Sequence, residues 1–421
     1  MKFIKNVWTF HHYATPPNKN GFTRPYNFSQ HLNKEGYKNT VFAASYLHFA
    51  DENLIFDQTL YIKENYNDTS FVYINTPSSA KSNLARVRNM ASYYRNLFKV
   101  SKEYALSNQK PDIIIASSPH PLAMIAGIKI AKKFNVPCIC EVRDLWPETI
   151  FAFGKIKEKS LFGKLLIKGE HWIYKNADGL IFLKEGDTDY LKERKWTTNQ
   201  GGQIDLEKCH YINNGVNIQE FNEQAEKNIV EDEDLSTDKF KVVYTGAIRP
   251  INNVGNILDA AIILKNIEDI QFLIYGDGNQ LETLRERVKN EKLTNVKLKG
   301  YVDKKYIPFI LKKSSINILN YSQTKYNWSR GNSSNKLFEY MASAKPIIST
   351  VKMGYSPIEK YKCGISLEED NGKELARAIV RLYEMEEFKY MELGNNAAKG
   401  AKEYDYKKLT DRLTVAMESL L

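Results

Sequence analysis

Short apolar runs alternate with amphipathic stretches from one end of the chain to the other. This is the pattern of a parallel sheet covered by helices, because strands buried on both faces read as continuous apolar runs. In the first half "FIKNVW", "NTVFAAS", "FVYINT", "DIIIASS", "PCICEVRD" and "GLIFL" predict strands, with helical stretches between most of them. The second half starts a new series with "KVVYTG", "QFLIYG", "NVKLKG", "SINILNY", "KPIIST" and "CGISL". Between the two lies 216–239, polar, carrying the acidic run Glu231 to Asp234 and little periodicity, which reads as a linker. A chain of 421 residues exceeds what one hydrophobic core usually serves. The expected architecture is therefore α/β with two doubly wound domains, 1–215 and 240–404, and a C-terminal helix over 405–421 able to return to the first domain.

Composition narrows the class. The hydrophobic fraction of 43% and charged fraction of 26% are those of an ordinary folded chain. The net charge of +10 is carried by one half: residues 1–200 hold 28 Lys/Arg against 18 Asp/Glu, and 201–421 hold 32 of each. A basic first half faces an anionic partner such as a phosphorylated substrate or a membrane surface, or is simply a solvated face. Nucleic acid is the weaker reading, since aromatic and basic residues are not interleaved in a recognisable module. Cys138, Cys140, Cys209 and Cys363 are scattered, and the first two fall on one face of a strand, as core thiols in a reducing compartment do. No stretch approaches the length of a membrane span, and the N-terminus lacks a signal-peptide pattern, so a cytoplasmic location is expected.

Candidate chemistry gathers where strands end in glycine or small polar residues before a helix: Ser117-Ser118-Pro119, Gly246 and Gly276-Asp277-Gly278. Such turns let backbone amides approach a phosphate. "YTGAIRPINNVGNILDAA" adds Arg249, able to clamp a diphosphate, and "IYGDGNQLETL" a tight turn around Gly278. The sharpest signal is "RGNSSNKLFEYMAS". Ser333, Ser334 and Asn335 are N-cap residue types, so unpaired amides should open the helix there. Lys336 then puts a full positive charge in the first turn, where the helix dipole disfavours it. An anion at that place would repay the penalty. Glu339 lies on the face of Lys336, placed to accept from sugar hydroxyls or to pair with that lysine. His120, in "SSPHPLAM", opens a helix after a strand end and is a candidate lining residue on the acceptor side; His11-His12 precede a glycine-containing loop, and no cluster of His, Asp and Glu suggests a metal.

The order of these motifs resembles glycosyltransferase family 4. "YTGAIR…ILDAA", "LIYGDGNQ", "NVKLKGYVDKKYIPFIL", "NKLFEYMASAKPIIST" and "CGISL" are similar to its donor-binding domain. "NGFTRPYNFSQHLNKEGYKNTVFA", "EVRDLWPET", "EHWIYKNADGLIFLKEGDTDYL" and "CHYINNGVNIQEF" are similar to its N-terminal domain. The resemblance implies the GT-B fold, two Rossmann-like domains facing each other across a cleft. It also implies a retaining transferase of hexosyl or N-acetylhexosaminyl groups that uses a nucleotide sugar, here expected to be UDP-linked, without a metal.

By the same resemblance Glu339 matches the second acid of a paired-glutamate motif and would hold the ribose. Lys336, with the amides around Asn335, would face the diphosphate. Val302 matches the position whose backbone meets the base, and Gly21 part of a loop under the phosphates, with Arg24 beyond it on the acceptor side. Three positions depart from the family pattern. The first acid is replaced by Gly331; the usual Arg and Lys fall at Ala247 and Asn252, with Arg249 close enough to serve for one; and the usual His-Asp at the first domain's strand end is Arg143-Asp144, expected to position the acceptor hydroxyl or the transferred sugar. A lost carboxylate bond to a sugar hydroxyl is worth about 1.5–3 kcal/mol, so altered sugar recognition is expected rather than lost activity.

"RDLWPE" is similar to the subgroup that builds O-antigens, capsules and other surface glycans, which implies a polyprenyl-diphosphate-linked acceptor. Two basic amphipathic stretches, 83–106 with the stripe Leu84, Val87, Ala91, Tyr94 and Phe98, and 155–175 with six lysines, suit core-facing helices or docking on an anionic membrane leaflet. The alternatives to a transferase are a nucleotide-sugar epimerase of the same fold and a nucleotide-sugar-binding partner subunit.

Overall fold

The computed structural model describes residues 5–19, 21–80, 82–152, 154, 156–324 and 326–421. Asn20 and Lys155, which belong to the glycine loop and to the second basic stretch, lie outside these. The chain forms two units, Met1–Asn213 with Leu409–Leu421, and Asn214–Lys408.

The first unit is built on β1 (Lys5–Phe10), β2 (Tyr37–Ala44), a short ribbon β3 and β4 (Tyr46–Leu47 and Glu52–Asn53), β5 (Tyr61–Tyr66), β6 (Thr69–Ile74), β7 (Ile113–Ser117), β8 (Cys138–Val142), β9 (Gly179–Phe182) and β10 (Cys209–Tyr211). Eight of them form one sheet in the order β10-β9-β8-β7-β1-β2-β6-β5. All neighbours are parallel except β5, which runs antiparallel to β6 at the edge. β1 pairs with β2 on one side and β7 on the other, so the chain reverses its direction of winding between β1 and β7. Trp8, Phe10, Phe42, Tyr93, Leu97, Tyr104, Ile114 and Cys140 form the core on one face.

The second unit holds β11 (Phe240–Thr245), β12 (Ile270–Tyr275), β13 (Val296–Gly300), β14 (Ile316–Leu319), β15 (Ile347–Ser349) and β16 (Gly364–Ser366), all parallel, in the order β13-β12-β11-β14-β15-β16. Here the reversal lies between β11 and β14. In open sheets of this kind the crevice outside the strand ends at such a reversal is where ligands bind. With the family resemblance, this is the two-domain GT-B architecture.

Three expectations change. The segment 216–239 is not a featureless linker: it carries a helix over Ile218–Lys227, capped by the Asn217 side chain, and falls within the second unit. The helix Asn83–Ser107 buries Asn89, Tyr93, Leu97, Val100, Ser101 and Tyr104; of the stripe that starts at Leu84, Tyr94 and Phe98 pack half-buried against the core while Leu84, Val87 and Ala91 are exposed. β5 and β10 were not among the expected strands. β5, "YIKENY", is an edge strand with one solvated face and so has no apolar run, while β10 has three residues. No helix of the described residues is long and apolar enough to cross a membrane.

Candidate functional site

The reversal point of the second unit is organised around Lys336. Its helix, Asn335–Ala342, is anchored from both ends. Tyr340 accepts from the backbone amide of Thr245 at 3.0 Å and donates to its carbonyl at 3.1 Å, tying the helix to the last residue of β11. Asn214 donates to the carbonyl of Ser333 at 2.7 Å and fixes the lead-in loop. Ser334 is the N-cap, and its side chain makes no capping bond. The helix therefore begins with amides that its own residues do not satisfy.

Lys336 leaves the first turn between two tyrosines. Its Nζ lies 4.7 Å from the ring centre of Tyr244, at the end of β11, and 4.3 Å from that of Tyr321, just past β14. The Tyr244 hydroxyl, itself donating to the Ala247 carbonyl at 2.8 Å, is 3.4 Å from Nζ. Ring faces attract a cation but accept no strong hydrogen bond, and Lys336 has no ion pair among the described residues. Burial pushes its ammonium down to about 7, and nearby Glu339 offsets this only in part. A half-buried cation in a crevice, short of hydrogen-bond acceptors, is poised for an anion.

The glycine turns stand beside it. Gly246, Gly276 and Gly278 take φ of 143°, 153° and 157°. A Cβ on Gly276 would come within 1.8 Å of the Gly246 carbonyl oxygen, and one on Gly278 within 2.2 Å of that of Ile248. The two loops thus lie backbone to backbone, held by the Ile248 amide on the Asp277 carbonyl at 2.9 Å. Arg249 is exposed on the first loop and makes no ion pair among the described residues. Asn252 is buried, and its carbonyl receives the Asn320 amide at 2.6 Å. Val302 is half-buried in the turn after β13, and Asn335 is exposed as the first helical residue, one past the cap.

Glu339 is half-buried and its carboxylate has no hydrogen-bond partner among the described residues, so that carboxylate is available. Glu339→Ala is expected to weaken nucleotide binding about tenfold, the worth of one charged hydrogen bond, with the fold intact. Titration calorimetry with UDP checks it. Gly331 is buried, and its backbone has φ 105° with its amide on the Trp328 carbonyl at 3.1 Å. An L-residue is strained in that conformation, so this backbone disfavours a glutamate at the position.

In the first unit the reversal between β1 and β7 brings together His11, His12 and His120. His120 Nε2 is 2.9 Å from His12 Nδ1, and His12 Nε2 is 2.7 Å from Asn89 Oδ1. Burial drives His11 and His120 down to about 3, and His12 also well down, so this group is neutral. His120 is buried at the start of its helix, with its Nε2 engaged in this network.

Arg24 is engaged with protein partners as well. It is buried, with Nε donating to Glu141 at 2.8 Å, one terminal nitrogen to the Ile212 carbonyl at 2.7 Å and the other to that of Asn213. It ties the first helix, Arg24–Lys34, to β8 and to the chain leaving β10, and is committed there. Arg143 is nearly buried, its guanidinium 4.8 Å above the Phe22 ring and 3.9 Å from Glu141, whereas Asp144 is exposed. Gly21 is exposed at the start of the same loop, and a Cβ there would meet Thr15 at 2.6 Å.

Known proteins were compared with this chain. Residues 22–220 match the description "Glycosyltransferase Family 4", and residues 225–401 match "Glycosyl transferases group 1". The chain belongs to the family 4 glycosyltransferases. Curated relatives include an uncharacterized glycosyltransferase of Methanocaldococcus jannaschii, 24% identical over 57% of this chain and 60% of its own. A putative teichuronic acid biosynthesis glycosyltransferase of Bacillus subtilis is 28% identical over 53% and 52%. The UDP-Gal:alpha-D-GlcNAc-diphosphoundecaprenol alpha-1,3-galactosyltransferase of Escherichia coli is 27% identical over 63% and 65%. The matched region thus spans between half and two thirds of these relatives.

Solved structures of the same fold include sucrose-phosphate synthase from Thermosynechococcus elongatus, with a TM-score of 0.68 at 15% identity over 99% of both chains. Anabaena HepE in complex with UDP has a TM-score of 0.67 at 13% identity, covering 99% of this chain and 100% of that one. In this family 4 chain, the residues that sequence reasoning missed are Tyr244, Tyr321, Tyr340 and Asn214. Three are aromatics at strand ends or inside a helix, where they read as ordinary core. Only the tyrosine at the end of "KVVY", two residues before Gly246, carried a signal, since a polar ring near a strand's carboxyl edge lies beside a phosphate turn.

Proposed function

We propose that this chain transfers a glycosyl group, with retention of configuration, from a UDP-sugar to a polyprenyl-diphosphate-linked glycan during synthesis of a surface polysaccharide. The observation that carries the reading is Lys336, held on two tyrosine rings at a helix start beside two glycine turns, without a carboxylate to neutralise it. Lys336, Arg249 and the first amides of the helix would meet the diphosphate's charge in place of a metal. Glu339 would accept from the ribose, and the backbone around Val302 would meet the base. Arg143 and Asp144 of the first unit would orient the acceptor.

In the reaction the bond between the sugar's anomeric carbon and the diphosphate breaks while the acceptor oxygen bonds to the same face. The acceptor's proton passes to the departing diphosphate oxygen. The protein's part is to position substrates and stabilise the charge growing on that phosphate. The diphosphoundecaprenol-linked acceptor of the Escherichia coli relative and the teichuronic acid role of the Bacillus subtilis relative support the lipid-linked acceptor and the polysaccharide setting.

The test incubates the full chain with UDP-sugars and a synthetic polyprenyl-diphosphate N-acetylhexosamine. UDP release that requires the acceptor, survives a chelator and yields an α-linked product by NMR is expected. Epimerised donor without acceptor, or nucleotide binding with no transfer across the donor panel, would overturn the proposal.

A further inference from the structure

The helix Leu161–Asn176 carries an apolar stripe beyond the face it buries. Its buried face carries Gly163, Glu170, Ile173 and Tyr174. Three large apolar residues of its first turns nevertheless face outward: Leu161 is 91% exposed, Phe162 55% and Leu165 61%. Leu161, Leu165 and Trp172 recur at helical spacing and form one stripe, and Lys164, Lys168 and Lys175, all exposed, form a parallel row beside it. Lys157 and Lys159 extend the row ahead of the helix.

The acids of this segment do not cancel the charge. Glu158 is engaged by Arg194. Glu170 lies inward under the hydroxyls of Tyr174 and Tyr190, at 2.8 and 2.6 Å.

A second patch of the same kind lies on the same layer. The helices Asn83–Ser107, Pro121–Phe134 and Leu161–Asn176 pack side by side. Each follows a sheet strand and leads to the next parallel one, so all three begin at the carboxyl edge of the sheet. The first turn of Asn83–Ser107 exposes Leu84 at 78% and Val87 at 59%, flanked by exposed Arg86 and Arg88. Two apolar tips rimmed with cations therefore emerge from one edge of the first unit, the edge that also bears Arg143 and Asp144.

We infer that this edge docks on an anionic phospholipid surface, with the helix Leu161–Asn176 lying in the plane of the headgroups. Leucine and phenylalanine side chains enter the acyl boundary while the lysine row meets lipid phosphates, the arrangement of an interfacial helix. A second copy of this chain is disfavoured as occupant, because a self-paired patch would set the lysine rows against each other. The inference rests on the surface itself; the proposed lipid-linked acceptor supplies only its purpose.

The full chain is sedimented with vesicles of phosphatidylcholine alone and of equal phosphatidylcholine and phosphatidylglycerol. Binding to the anionic vesicles that weakens with salt is expected. Lys164→Gln with Lys168→Gln should reduce the affinity about 25-fold, roughly fivefold per cation, and Leu161→Ser with Leu165→Ser at least about tenfold. Val415→Ser, at an exposed apolar residue on the C-terminal helix, should change nothing.

The inference is overturned by absence of binding, by equal binding to neutral vesicles, or by insensitivity to both double variants. It is also overturned by a solution dimer that Leu161→Ser with Leu165→Ser dissolves. Circular dichroism and Tm confirm that the variants fold. UDP binding in lipid-free solution should be the same in all of them, which separates failure of this inference from failure of the donor site.

Discussion

Lys336→Ala is expected to lower kcat/KM for the nucleotide-sugar donor by at least about a hundredfold while leaving Tm unchanged or raised. The side chain places a cation between Tyr244 and Tyr321 with no carboxylate bonded to it. Burial costs that charge, and only a bound anion returns the cost. Removing it therefore harms the complex and not the folded chain. A fall in Tm with unchanged kinetics would make Lys336 a packing residue and sink the donor assignment.

The same burial gives a pH signature. The ammonium is held at about 7 in the free site, well under its ordinary value, and only its protonated form attracts a diphosphate. Donor KM should therefore rise as pH increases from about 6 to 8. Binding should take up a proton near pH 8, seen as a calorimetric heat that depends on the buffer's ionisation enthalpy. The stability linkage runs the other way. The unfolded chain keeps this proton to higher pH, so Lys336 adds stability as pH climbs from about 7 toward the ordinary lysine range. Lys336→Arg, which stays charged throughout, should abolish the pH dependence of KM even if its fork fits poorly between the rings.

Arg24→Ala is expected to destabilise the first unit by about 3–5 kcal/mol, the cost of leaving a buried carboxylate without its partner, or roughly 10 °C in Tm. Glu141 is the group left behind. Burial alone would raise its carboxyl; Arg24, then Arg143 and the Ser117 hydroxyl at 2.6 Å, hold it at about 2 instead. Its contribution is thus present above the ordinary carboxylate range and is lost as pH falls from there toward 2. Adding Glu141→Gln to Arg24→Ala should recover part of the loss, because the orphaned charge is gone. Thermal melts of the two single variants and the double variant measure the coupling. Additive losses would show that Arg24 acts through its carbonyl bonds alone.

The strands were legible where burial on both faces forces an unbroken apolar run, as in "DIIIAS", "CICEV" and "FLIY". They were not legible where one face is solvated, as at Tyr61–Tyr66. The helix Asn83–Ser107 shows a second limit. Two apolar stripes run along it one residue apart, and spacing cannot choose between them. The choice went to the face with Tyr93 and Leu97 because Asn89, on that face, donates to the Pro77 carbonyl at 2.6 Å and accepts at its Oδ1 from His12 Nε2 at 2.7 Å, bonds that only the assembled sheet provides. Lys336 and Glu339 stood out because they break or fit local rules of helix starts. The buried partners of Arg24 and His120 were not legible, because a polar residue near a strand end looks the same in sequence whether it faces a ligand or another side chain.

By itself the sequence determined the two series of parallel strands, the place of the glycine turns and the charge at the start of one helix, since periodicity, φ requirements and capping are local matters. Tertiary structure alone decided that Lys336 meets two tyrosine faces and no carboxylate, that Arg24 is spent on Glu141, that Gly331 sits at a positive φ, and that Leu161 and Leu165 point outward. Each depends on which distant segment arrives beside the residue, and the burial of a charge or an apolar surface is a property of that neighbourhood rather than of the chain.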